Sequence, residues 1–302
     1  MNKEQRVLFV INKKSGNREN YSVDETIAQH ATKSGYLFKL YVCNKNVEAE
    51  IRKEIDNFSP TIVCAVGGDG TVNLVASIIQ SRNISLLIVP FGSANGMAKE
   101  LQIPPTLKEC LDLINSGKIQ KIDLLKVNDA ISVHLADVGL NARIVRRFEL
   151  DTKRGLLTYG KHLFYEIFLL KRNRFRIDYD GKSIAVKAVS LTFANATKYG
   201  TNATINPDGI LNDGYFEICI VKPFPKYHVI GIAYKMFRNT LKYSEFFQVI
   251  KCKKAEVTCT KKTVLQNDGE LMKKVSSVYL EILPNSLQVI INPRLTHPTI
   301  IN

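Results

Sequence analysis

Val66-Gly67-Gly68-Asp69-Gly70-Thr71-Val72-Asn73 is the stretch whose reading decides the fold of this chain. It follows an apolar run, 61–66, that reads as a buried strand, and it precedes a run of helical composition, 74–80. Three glycines at a strand-to-helix turn let the backbone approach a ligand closely. The helix start behind them offers N–H groups that favour an anion such as phosphate. Asp69 is the odd member, because a carboxylate repels phosphate unless it handles a metal or a proton. Glycines, a carboxylate and a hydroxyl at one turn therefore point to metal-assisted phosphoryl transfer. The same residue types also build ordinary tight turns. The stretch has neither the Gly-Lys-Ser/Thr ending of a Walker A loop nor Gly-x-Gly-x-x-Gly spacing.

Outward from this turn, residues 1–125 alternate strand and helix. Strands are expected at 7–11, 36–42, 61–66 and 86–89, and helices at 24–33, 48–58 and 107–116, the last closed by Gly117. This is the pattern of a parallel sheet covered by helices. Three of these strands end in loops of small or polar residues: 12–17, the Gly67 loop, and Pro90-Phe91-Gly92-Ser93-Ala94-Asn95-Gly96. Open α/β sheets bind ligands at the carboxyl ends of their strands, so three such loops make a site. After Ile122 the texture becomes strand-rich, with runs at 130–136, 184–194, 215–221, 255–259, 278–282 and 286–291. Recurrent Asp-Gly turns between them predict an antiparallel sandwich or barrel-like second domain, interrupted by helices at 152–171 and 227–241.

Composition narrows the function classes. A chain of 302 residues with 45 % hydrophobic content accommodates two ordinary domains. No apolar run reaches membrane-span length, and the polar start predicts no secretory leader. Six scattered cysteines without a Cys-x-x-Cys pair, several inside apolar runs, read as reduced core residues of a cytoplasmic protein. The five histidines show no metal-ligand spacing. A formal net charge of +14 suggests an anionic partner, or else a solvated basic surface. Its densest basic stretch, 143–176, carries aromatics in a helix-like pattern unlike an RNA-stacking motif, so nucleic acid is not expected. Within it, apolar residues at 156–170 fall near helical spacing and are flanked by lysines and arginines, which suits either a core helix or a lipid-contact surface.

Four motifs occur in register: Gly67-Gly68-Asp69-Gly70-Thr71; Pro90 to Asn95; Asn206-Pro207-Asp208-Gly209-Ile210-Leu211-Asn212-Asp213-Gly214; and Asn267-Asp268-Gly269-Glu270. Together they resemble the diacylglycerol kinase catalytic domain family, which includes sphingosine kinases and bacterial soluble lipid kinases. The resemblance covers nearly the whole chain. It implies an α/β N-terminal domain with a parallel sheet, NAD kinase/diacylglycerol kinase-like, over residues 1–125, and an antiparallel β-sandwich lipid-substrate domain over 126–285. The last strand, about 286–302, returns to the first domain. ATP with Mg2+ is the implied cofactor pair, bound between the domains. By the same resemblance Asn12, Ser15, Gly16, Gly67, Gly68, Gly70, Thr71, Ser93, Asn95 and Asp123 contact the nucleotide. Asp69, Asp268 and Glu270 are the implied catalytic carboxylates, with Asp69 or Glu270 favoured as the base that activates a lipid hydroxyl. Asp213 and Asp208 are the implied structural magnesium ligands.

The chain departs from the family at Leu74, often Glu there, and at Gly96, often Asp in diacylglycerol kinases. A small residue at 96, with Ala136-Asp137-Val138, looks more like sphingosine kinases and makes Asp137 a candidate contact to the substrate head group. The partners implied are a lipid substrate and an anionic inner-membrane surface on which a cytoplasmic protein sits peripherally; a homodimer is left open. The competing classes are a non-catalytic nucleotide- or lipid-binding regulator on the same fold, and an NAD kinase, which shares the Gly-Gly-Asp-Gly turn.

Overall fold

A computed structural model describes residues 5–13, 23–44, 47–140, 142–143, 172–199, 203–295 and 299–301. The chain divides into two compact units, residues 1–122 with 285–300, and residues 123–284 with 301–302.

In the first unit, β1 (Arg6–Ile11), β2 (Leu37–Val42), β3 (Ile62–Gly67) and β4 (Ser85–Pro90) form a parallel sheet in the order β2-β1-β3-β4. All six residues of β3 are buried, as a parallel strand covered by helices on both faces requires. The covering helices are α1 (Val23–Ser34), α2 (Val47–Phe58), α3 (Asp69–Ile79), α4 (Gly96–Glu100) and α5 (Leu107–Ser116). Their ends follow local chemistry. Asp24 and Glu25 open α1 and Lys33 closes it, complementing the helix dipole. The Thr106 side chain accepts from the Glu109 N–H at the start of α5. The far end of the longest strand, Glu270–Ile291, completes this sheet, Gln288 and Val289 pairing parallel with Ser85 and Leu86.

In the second unit the strands are antiparallel. β5 (Lys118–Val127) runs into it and pairs with β6 (Ala130–Ser132). Then come β7 (Leu135–Gly139), β8 (Asn173–Tyr179), β9 (Lys182–Ala188), β10 (Ser190–Ala194), β11 (Phe216–Val221), β12 (Phe247–Cys252), β13 (Lys254–Asn267) and β14 (Glu270–Ile291). β13 makes the sandwich possible. Its first half pairs with β8 through Ala255–Cys259, and its last residues pair with β7 through Leu265–Asn267. A register irregularity between Thr258 and Thr263 separates the two halves, the kind of bulge that bends a strand from one layer into another. β8-β9 thus lie along one half and β7-β10-β11-β12 along the other. Phe175, Phe193, Phe216, Val257, Leu265 and Leu280 are among the buried residues of the core.

Several sequence-based expectations change in detail. The strand expected over 130–136 is two strands, because the N–H groups of Val133 and His134 turn to the Asp268 carboxylate. The run 184–194 also divides, into β9 and β10. β5, β8 and β12 were not foreseen; in β8 the exposed arginines at 174 and 176 mask an alternating pattern around buried Phe175 and Ile177. The helix expected over 227–241 is a short helix, Val229–Phe237, flanked by single 3-10 turns at Lys226–His228 and Leu241–Tyr243. The helix expected at 152–171 lies outside the described residues. All six cysteines are free thiols and five are buried; burial pushes Cys110 and Cys252 up to about 12, which keeps them protonated and inert. No helix among the described residues is long and apolar enough to cross a membrane.

Candidate active site

β1, β3 and β4 are parallel neighbours, so their carboxyl ends open on one edge of the first unit. The loops there are tied to one another. The Asn12 N–H donates to Val66 O at 3.0 Å, and Asn12 Nδ2 donates to Thr71 Oγ1 at 3.2 Å. The Phe91 N–H donates to Gly67 O at 2.8 Å. Asn95 folds its own loop: its Oδ1 accepts from the Gly92 N–H at 2.9 Å and its Nδ2 donates to Gly92 O at 2.7 Å. Asn95 does so in the left-handed region, φ 49°, which Asn tolerates better than most residues.

Two glycines are required by close approach. A Cβ at Gly67 would lie 2.4 Å from Thr71 Oγ1, and a Cβ at Gly92 would lie 2.5 Å from Gly68 Cα. The loops after β3 and β4 therefore pack backbone on backbone. Beneath them α3 begins, with Gly68 as its N-cap and Asp69 as its first residue. Asp69 Oδ1 accepts from the Met97 N–H at 3.4 Å, linking the starts of α3 and α4. Asp69 and Gly70 are half-buried, Thr71 is buried and Ser93 is exposed. Asn12, Gly67, Gly68, Thr71, Asn95 and Asp69 are thus brought to one edge. Ser15 and Gly16 lie outside the described residues. Gly92 belonged to a quoted motif without a role of its own; only the geometry singles it out.

The second unit holds the remaining predicted residues. Asp123 is fully buried, and its Oδ2 accepts from the Gly214 N–H at 2.7 Å while its N–H donates to Leu211 O, so it anchors the 211–214 turn. Asp137 is also fully buried, and its Oδ2 accepts from Gln266 Nε2 at 2.6 Å. Gln266 Oε1 in turn accepts from the Gly269 N–H at 2.7 Å. Glu270 is exposed at the start of β14.

Asp268, expected as a catalytic carboxylate, is held by four donors of its own unit. It sits at φ 46° in the β13–β14 turn, and its carboxylate points into its own unit. Oδ1 accepts from Ser132 Oγ at 2.8 Å and from the N–H groups of His134 and Leu135 at 3.1 and 2.9 Å; Oδ2 accepts from the Val133 N–H at 2.8 Å. Burial pushes this carboxyl upward, against His134 and the donors that favour the anion. A carboxylate spent on four donors organises the 132–135 segment and has little capacity left to take a substrate proton.

At Asp208 and Asp213, the expected magnesium ligands, the partners present are lysines. Lys251 Nζ stands 2.5 Å from Asp213 Oδ2, and Lys242 Nζ stands 2.6 Å from Asp208 Oδ1. Each carboxylate already has an ammonium as its cation, and among the described residues no three His, Cys, Asp or Glu side chains group as metal ligands. These residues do not fit a divalent ion as they stand. Between them lies Glu217, a residue the sequence reading missed. It is buried in β11, accepts from Asn206 Nδ2 at 2.7 Å and has Lys251 Nζ at 3.8 Å. Burial pushes it up to about 7; Asp213 and Asp208 add to the rise, and Asn206 and Lys251 oppose it. A charged residue within the apolar run 215–221 was the available signal.

Comparison with known proteins agrees with this layout. Residues 6–127 match the family model of the diacylglycerol kinase catalytic domain, and residues 135–291 match the YegS C-terminal NAD kinase beta sandwich-like domain. A protein of Pectobacterium atrosepticum named "Probable lipid kinase YegS-like" is 29 % identical over 234 residues, 73 % of this chain and 76 % of the relative. A Staphylococcus aureus protein named diacylglycerol kinase is 28 % identical over 199 residues, 63 % of this chain and 62 % of the relative. A solved diacylglycerol kinase structure from Bacillus anthracis matches with a TM-score of 0.74 at 17 % identity, over 98 % of this chain and 100 % of that one. An NAD kinase from Archaeoglobus fulgidus in complex with ATP matches at 0.55 and 14 % identity, over 96 % and 95 %. These two structures speak to the fold alone. With the glycine-bound strand-end loops in its first unit and the matching sandwich in its second, the chain belongs to the diacylglycerol kinase catalytic domain family, in its YegS-like form.

Proposed function

We propose that this protein is an ATP-dependent lipid kinase, moving the γ-phosphoryl group of ATP to a hydroxyl of a diacylglycerol-like or sphingoid-like lipid at a membrane surface. One observation carries the reading: the loops after β1, β3 and β4 meet at the N-terminal end of the 11-residue helix α3, whose first residue is Asp69. The glycines at 67 and 92 let these loops close against the start of α3, whose backbone amides and positive end favour phosphate oxygens. Both named relatives above are lipid kinases by name, which favours a lipid acceptor over NAD.

Asn12 and Thr71, bonded to each other, and Asn95, which shapes its own loop, set the floor on which the nucleotide rests. Asp69 accepts the lipid hydroxyl proton as the new oxygen–phosphorus bond forms and the bond to the departing ADP breaks. Magnesium supplies charge neutralisation on the phosphates when bound, and such ions are held through one or two carboxylates plus phosphate oxygens. Asp69, at the head of α3, is the carboxylate of the first unit that would hold it. Asp268 acts through the loop it organises. The setting is cytoplasmic, with peripheral attachment to the inner membrane surface.

The test is transfer from radiolabelled ATP by purified protein to mixed lipids and, separately, to NAD. Labelled lipid is expected, and Asp69→Asn should lower its formation about 10²-fold or more. Asn can still accept from Met97, so the fold should survive. Label on NAD alone overturns the lipid reading; wild-type turnover by Asp69→Asn overturns the role of Asp69.

A further inference from the structure

The helix Val229–Phe237 has no buried residue, yet its sequence is apolar almost throughout. Ile232 and Met236, at i and i+4, pack on a core cluster formed by Leu135, Ala194, Ile205, Cys219, Leu241 and Phe247. That face accounts for the fold. The other face ought to be polar in a surface helix. Instead Ile230, Tyr234 and Phe237 recur at i, i+4 and i+7, exposed by 79 %, 63 % and 64 %, and Tyr227 just before the helix and Tyr243 just after it are exposed by 79 % and 75 %. Five large apolar or aromatic side chains on this helix and its two flanking turns are therefore turned to solvent, a feature that marks an interaction surface.

Charge selects the occupant. Residues 222–243 contain Lys222, Lys226, Lys235, Arg238 and Lys242 and no Asp or Glu. Lys242 is paired with Asp208, and all five add positive charge within and beside the helix in sequence, in a chain whose net charge is +14. An exposed apolar stripe with tyrosines in its flanking turns and basic residues beside it in sequence matches the layered chemistry of an anionic bilayer surface: acyl chains below, amphipathic aromatics at the boundary, phosphates around.

We propose that the stripe Tyr227, Ile230, Tyr234, Phe237 and Tyr243 is the surface by which this protein docks on anionic phospholipid. The choice of a bilayer rests on the lipid kinase reading, since an enzyme of that class must meet its substrate in a membrane. None of the stripe's residues is among those placed at the nucleotide loops, so attachment and phosphoryl transfer are separable by mutation.

The experiment measures both. Sedimentation with vesicles of phosphatidylcholine plus phosphatidylglycerol, and with phosphatidylcholine alone, is done without ATP for wild type, Ile230→Ser/Phe237→Ser and Lys226→Gln/Arg238→Gln. Transfer to a short-chain diacylglycerol dispersed as monomers is measured alongside. The apolar variant should bind mixed vesicles at least about tenfold more weakly at any salt. The charge variant should lose the preference for mixed over pure vesicles and the sensitivity to salt. Both variants should keep wild-type melting and wild-type monomer phosphorylation. Wild-type protein that ignores mixed vesicles, or an apolar variant that binds them as wild type does, overturns the proposal. So does an apolar variant that changes only from dimer to monomer, which would make a second copy the occupant. If no lipid is phosphorylated but vesicle binding follows the stripe, the kinase reading fails and the docking surface stands.

Discussion

Replacing Asp268 separates an organising carboxylate from a catalytic one. Asp268→Ala removes the acceptor for Ser132 Oγ and for the N–H groups of Val133, His134 and Leu135. The serine hydroxyl can rotate to another partner, but three buried amides cannot. An orphaned buried donor costs about 1–3 kcal/mol, and partial access of water offsets some of it, so the loss should be about 3–5 kcal/mol. Alanine adds strain, because position 268 has φ 46°. Asp268→Asn is the graded control. Asparagine tolerates that backbone, keeps an oxygen for the three donors on Oδ1 and turns an NH2 toward the Val133 N–H, for a loss of about 1–2 kcal/mol. Urea unfolding monitored by tyrosine fluorescence suits a chain with 12 tyrosines and no tryptophan. The expected order is wild type, Asn, Ala, with activity falling in proportion to the folded, ordered fraction. An Asp268→Ala protein that unfolds at the wild-type midpoint and yet transfers no phosphate would refute the reasoning, since a lost base silences chemistry without loosening the loop.

Gly92→Ala should force the loops after β3 and β4 apart, because its Cβ would meet Gly68 Cα at 2.5 Å; overpacking of this kind costs about 1–3 kcal/mol, and misplaced phosphate contacts should lower kcat/KM for ATP about 10²-fold, whereas kinetics within twofold of wild type would show that the loops need not touch. Glu217 should make the protein less stable as pH rises. Its folded value of about 7 lies above the ordinary 4.5, so the folded state holds the proton longer than the unfolded chain does. The stabilisation is present below pH 4.5 and lost as pH climbs to about 7, a difference of about 3 kcal/mol. Glu217→Gln should flatten that slope; an unchanged slope between those limits would assign it to another group.

The strand-to-helix turn at 66–73 and the alternation before residue 122 were legible in the sequence because their causes are local. A buried parallel strand needs a run such as Ile62–Gly67, a tight turn needs glycine, and a helix needs its cap within a few residues. The loops containing Asn12, Gly68 and Asn95 could be foreseen at one edge for the same reason: parallel strands joined by helices all point the same way. Two of the four motifs, 67–71 and 90–95, sit in these locally determined turns.

The second unit was harder to read because its determinants are distant in sequence. Asp268 looks like a site carboxylate until residues 132–135, more than a hundred positions away, are found to take both its oxygens. Asp213 and Asp208 read as metal ligands in sequence, and only the structure shows that Lys251 and Lys242, from other segments, pair with them. The helix Val229–Phe237 was expected as a helix, but its two faces are both apolar, so periodicity could not say which one the core would take. Sequence alone determined the parallel sheet, the glycine loops and Asp69 at the head of α3, since each follows from the conformational limits of neighbouring residues. Only the tertiary structure decided which carboxylates are occupied and which apolar face stays in water, because a hydrogen bond or a buried contact depends on what the rest of the chain brings to it.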